Sequence, residues 1–149
     1  WQVNRVNNGL LHKSQLALLE NMISSERELG DWEAVSKHYA HLEHLYRRLY
    51  DMDDPQLESG LQKISAWYVS AINMNRDGKR MEHLRKAHQI FKLRLQIAEL
   101  TLAADDPKFA FLHESIAVSE HQLYMANIPK EVKRTRRRTQ RDRLLAGLD

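Results

Sequence analysis

The triplet Asp-Asp-Pro occurs twice, at Asp53-Asp54-Pro55 and at Asp105-Asp106-Pro107, with the prolines 52 positions apart. Each copy dictates a local event. Proline is tolerated at the first position of a helix, where its missing N–H would have no intrahelical partner. The residue before it is pushed out of the α region. Aspartate is favoured there because its carboxylate accepts a bond from a free backbone N–H. Asp54-Pro55 and Asp106-Pro107 therefore read as N-cap plus first helical residue, each ending one helix and starting the next.

The same alternation runs along the chain. Leu16, Leu19, Met22 and Ile23 recur at helical spacing up to Leu29, and Gly30 follows as a helix terminator. Asp31 can then cap a helix striped by Trp32, Val35, Tyr39, Leu42, Leu45, Tyr46 and Leu49, expected to run to Met52. A helix from Pro55 carries Leu57, Leu61, Ile64, Trp67, Tyr68 and Ile72, and Asp77-Gly78 breaks the chain after it. Met81 to Leu100 and Pro107 to Tyr124 give two more, and Asn127-Ile128-Pro129 ends the last. A basic stretch follows.

Shifting the sequence by 52 aligns Val35 with Ala87, Tyr39 with Phe91, Leu45 with Ile97 and Ile64 with Ile116. Repetition with two helices per unit is the signature of an α-solenoid, in which each hairpin has an apolar side only a neighbour can cover. The expected fold class is all-α: five to six antiparallel helices, paired as hairpins and stacked. The repeat domain covers 1–128, with units at about 10–50, 55–102 and 107–126, and 129–149 forms a basic segment that is a candidate capping helix.

Composition supports helices. Only 5 Gly and 3 Pro occur, few for a chain that must turn as often as a β protein. The absence of Cys excludes disulfides, thiol catalysis and cysteine-based zinc sites. No apolar run reaches the roughly 18 to 20 residues of a membrane-spanning helix. Compartment is not fixed by these features, and a chain opening on Trp1 reads as a fragment or processed form. Charge is unevenly spread. Residues 129–149 hold 8 Lys/Arg against 3 Asp/Glu, whereas the other 128 hold 15 against 17.

The run Gly30 to Tyr39, GDWEAVSKHY, resembles the tetratricopeptide repeat (TPR), with Gly30-Asp31-Trp32-Glu33 at the tight turn, Val35 at the small position and Tyr39 at the aromatic one. The wider run from Arg5 to Leu57 is similar to TPR proteins of Gram-negative bacteria, many predicted to be exported. The resemblance implies a right-handed superhelix, a periplasmic or exported location over a cytoplasmic one, and a concave groove on the first helices of the units. By that register the groove residues are Ala17, Glu20, Ser24 and Arg27, then Val69, Ile72, Arg76 and Lys79, then His121 and Tyr124.

Candidate chemistry is sparse. His38, His41 and His44 are spaced for one helix edge but lack a third ligand pattern, so a polar flank is the simpler reading. Capping accounts for one Asp of each pair, and catalysis would require the two pKa values to be driven apart. No nucleophile elbow, phosphate loop or dinucleotide fingerprint is present. The expectation is a non-enzyme without cofactor or metal that acts as a protein–protein adaptor or scaffold for a peptide or partner helix. The alternative is a nucleic-acid-associated or regulatory protein. It would use the basic segment, with Lys133, Arg134, Arg136, Arg137, Arg138, Arg141 and Arg143 facing phosphates. No aromatic residue interleaves that run, which disfavours single-strand stacking. Leu144, Leu145 and Leu148 suggest that its last turns dock on apolar surface. Leu10, Leu11 and Leu18 make the N-terminal helix too apolar for a free end, so it is expected to meet further chain, a partner or a second copy.

Overall fold

Helix ends in this chain are set by caps that the local sequence carries. Asp31 Oδ1 accepts from the Ala34 N–H at 3.3 Å, Asp54 Oδ1 from Gln56 at 2.9 Å and Asp106 Oδ1 from Lys108 at 2.9 Å, with Pro55 and Pro107 opening their helices. Asp53 and Asp105, their neighbours, are exposed. The computed structural model describes the backbone of residues 2–128 and 130–146, and the side chains of 13–128 and 137–146. Within it the chain is all-α, with six helices and no strand among the described residues. They are α1 (Gln2–Leu29), α2 (Trp32–Leu49), α3 (Pro55–Met74), α4 (Arg80–Thr101), α5 (Pro107–Ala126) and α6 (Lys130–Ala146). Helix α2 stops short of Met52 because Tyr50 turns extended. The α3–α4 turn uses two left-handed residues, Asn75 and Gly78, and only the second is a glycine.

Each helix from α1 to α5 packs on its neighbours in sequence, and α6 packs on no other helix among the described residues. The pairs run antiparallel. Glu26 and Glu20 of α1 meet His38 and Tyr46 of α2. Tyr39 stacks on Trp67 at 4.3 Å, whereas Tyr46, about two helical turns on, lies against Gly60. One core runs through the stack, from Leu16 in α1 to Leu112 in α5.

The positions matched by the 52-residue shift share their surroundings. Val35 and Ala87, Tyr39 and Phe91, and Leu45 and Ile97 are all buried, while Ile64 is buried and Ile116 half-buried. One pair breaks the apolar rule. Leu42 is 4% exposed, and its counterpart Arg94 is 3% exposed. Arg94 is held by Glu58, with Nε and Nη2 each 3.0 Å from Oε1, and donates from Nη1 to Ser65 Oγ at 3.1 Å. In sequence, the shift sets Glu58 against Val6. The second unit thus carries an ion pair where the first has two apolar residues.

Two stability predictions follow from this packing. A Cβ on Gly60 would penetrate the Tyr46 ring. Gly60→Ala should therefore destabilise the chain by about 1–3 kcal/mol in urea unfolding, although alanine is the better helix former by about 1 kcal/mol. Arg94→Leu alone leaves Glu58 with only the partly exposed Lys108 at 3.5 Å and should cost about 3 kcal/mol. Arg94→Leu with Glu58→Val, which copies the first unit, should be close to neutral or stabilising. A double variant as unstable as the single one would show that the ion pair itself holds the helices.

Candidate functional site

Two hollows open between the helices at positions related by the repeat. The first, of about 120 Å³, is walled by Arg27 at the end of α1, by Trp32 and Ser36 of α2, and by Trp67, Ser70 and Met74 of α3. The second is a groove of about 420 Å³, floored by Leu84, Ala87 and Phe91 of α4 and walled by α3 and α5. Shifting by 52 maps Trp32 to Leu84, Trp67 to Ser119 and Ser70 to Gln122, residue for residue between the two linings. Leucine and serine in place of the two tryptophans accompany the larger opening.

The groove presents apolar surface at its rim. Phe111 is 53% exposed and Val118 50% exposed on α5, facing Val69 and Ile72 of α3. Phe111 stands edge-on to Phe91, with ring centroids 6.3 Å apart. Polar groups are few: Asn73, Glu114, Ser115, Ser119 and Gln122. Ser119 is committed to His88, Oγ to Nδ1 at 2.7 Å, and to the Ile116 carbonyl. Such a surface offers contact and orientation.

The structure separates the expected groove residues. Val69 and Ile72 line the large groove, and Arg27 and Arg76 line the small hollow. The Arg76 guanidinium stacks over Trp32 at 4.3 Å. Glu20 faces α2, where Oε1 accepts from Tyr46 Oη at 3.1 Å. Burial, with the Glu20 carboxylate beside it, pushes the Tyr46 phenol up to about 12, so it remains a neutral donor. Ala17 and Ser24 are exposed on α1, and Lys79 lies 4.0 Å from Glu33. His121 and Tyr124 are exposed and line neither hollow. The buried face of α5 is set by Leu112 and Ser119, and His121, nine residues past Leu112, points half a turn away. Phe111, Ser115, Val118 and Gln122 take the places expected of them. Their spacing of four and three residues is the signal that would have found them.

Other candidates resolve simply. His38 bonds Glu26 at 2.8 Å, His41 and His44 are exposed, and no group of three metal-ligating side chains occurs among the described residues. Trp67, Tyr39, Tyr46, Tyr68 and Phe91 are buried. Arg137, Arg138, Arg141 and Arg143 are exposed on α6. Leu144 and Leu145 are 67% and 54% exposed, so neither docks on apolar surface of its own chain. Leu18 is exposed on α1. Trp1, Leu148 and the side chains of Leu10, Leu11, Lys133, Arg134 and Arg136 lie outside the described residues. No helix among the described residues is long and apolar enough to cross a membrane. No family model, curated protein or solved structure matches this chain.

A polar lock closes the floor of the small hollow. Asp77 Oδ2 accepts from Ser36 Oγ at 2.6 Å and lies 2.7 Å from His83 Nε2, while Oδ1 accepts the Lys79 N–H at 3.1 Å. The His83 ring is wedged between Trp67 and Tyr68. Burial raises the Asp77 carboxyl, but the bonds from Ser36, Lys79 and His83 outweigh it and hold the group below its ordinary 3.8. A lowered folded-state value means stability that is present above the unfolded pKa and lost as pH falls through the folded one. Wild type should therefore exceed Asp77→Asn in urea unfolding at neutral pH, with the gap closing below about pH 4. A constant gap from neutral to acid would show that the carboxylate charge contributes nothing.

Proposed function

We propose that this chain is a non-catalytic protein–protein interaction module. In this reading it is a TPR-like α-solenoid of stacked hairpins that acts as an adaptor or assembly scaffold. The observation that carries the proposal is the open apolar groove between α3 and α5, with Phe111, Val118 and Val69 at its rim over a floor of Leu84, Ala87 and Phe91. Exposed apolar surface concentrated in one concavity, rimmed by a few polar groups of which Glu114 alone is charged, suits the apolar side of an amphipathic helix or an extended peptide. The floor belongs to the core, so the occupant meets a shape that is already built, and little ordering cost is charged against binding.

Capture from a cell extract tests this. The wild-type chain should retain a defined protein. Val69→Asp with Val118→Asp alters two exposed rim residues and should lower retention about tenfold or more while leaving thermal stability nearly unchanged. Equal retention by the variant would remove the groove as the binding surface.

A further inference from the structure

Helix α6 and a cleft at the far end of α5 are complementary in charge and polarity. The cleft has a volume of about 410 Å³ and lies where the first turns of α3 and α5 meet the last turns of α4. Its floor is apolar, made by Met52, Ile97, Ala98 and Leu102, and its rim carries Asp53, Asp54 and Glu58. Glu58 Oε1 is already paired with Lys108 at 3.5 Å and with the buried Arg94 at 3.0 Å, so the rim's free negative charge is that of Asp53 and Asp54. Glu58 Oε2 is the one buried side-chain polar atom without a hydrogen-bond partner among the described residues. A buried acceptor left unmatched is costly, and a cation arriving with apolar surface would satisfy both rim and floor.

Helix α6 carries that combination on one face. Arg137, Arg138, Arg141, Leu144 and Leu145 follow the i, i+1, i+4, i+7, i+8 spacing of a single helix side, and all are exposed. In sequence the stripe extends back through Arg134, Lys133 and Lys130. Asp142, four residues after Arg138, stands at the edge of the stripe. A lipid surface would require an apolar face along the whole helix, and α6 has apolar residues only at the end of its basic stripe. The leucines likewise exceed what phosphate contacts use. Acidic rim and apolar floor match basic stripe and terminal leucines.

We propose that the α6 of one copy docks its Arg141–Leu145 turns in the Asp53–Glu58 cleft of a second copy. The cleft sits at Lys108, about 27 Å along α5 from the end that leads into α6. Among the described residues α6 packs on no other helix, so the contact in trans needs no rearrangement. It joins two different surfaces, so each copy keeps one free donor and one free acceptor, and association is open-ended. The surface is small, which places it in the weak, reversible class. It is separate from the α3–α5 groove, and neither proposal depends on the other.

Sedimentation of the full chain over about a hundredfold concentration range tests the contact. Wild type should rise from the 17.6 kDa of one chain to a growing average mass, and added salt should reverse the rise. Leu145→Glu removes the donor, and Asp53→Lys with Gln62→Lys, a further residue of the cleft lining, removes the acceptor. All three positions are exposed, and none caps a helix. Each variant alone should remain a single chain. Mixed together they should form one-to-one dimers and nothing larger, because one intact donor then meets one intact acceptor. Wild type remaining a single chain throughout would overturn the proposal. So would either variant associating as wild type does, or wild-type association that requires added duplex DNA.

Discussion

The close approach of α2 and α3 is the contact on which the rest of the stack depends. Among the described residues, helix packing joins α1 and α2 to the later helices through this pair, and side chains of α2 also reach the α3–α4 turn. Gly60 lets the Tyr46 ring lie against the α3 backbone, and Tyr39 stacks on Trp67 further along the same seam. At the far end Ser36 reaches the Asp77 lock and Arg76 covers Trp32. Backbone contact, ring stacking and a polar lock thus fix α3 at three heights. With α3 fixed, its other side can serve as one wall of the groove.

Much of this was legible because it is local. The helix starts at Asp31, Asp54 and Asp106 are decided by residues adjacent in sequence, and each cap forms as its neighbours require. The apolar stripes name the core because period and burial are linked geometrically. The Arg94–Glu58 pair escaped that logic, since charged residues read by default as solvent-facing. Its trace was present in the repeat, which sets Arg94 against Leu42 and Glu58 against Val6. The α5 side of the groove escaped for another reason. His121 and Tyr124 were placed by a register carried over from resemblance, whereas the rotation of α5 is fixed by Leu112 and Ser119 packing into the stack.

The two units are alike in core and different in opening. Large rings at Trp32 and Trp67 fill the first inter-helix hollow, and Leu84 and Ser119 leave the second one wide. A repeat that keeps its buried positions while thinning one lining gains a concavity without a new fold. That economy is the physical content of the scaffold reading.

The account requires that the groove be built before anything binds it. Amide hydrogen exchange on the free chain measures this most directly, followed at the turns spanning 64–73 in α3 and 112–119 in α5. The account predicts protection there approaching that of the α4 floor, since local opening would have to break the shared core. Exchange at the rate of an unstructured peptide would mean that the walls form only on binding, which contradicts a preformed interaction surface.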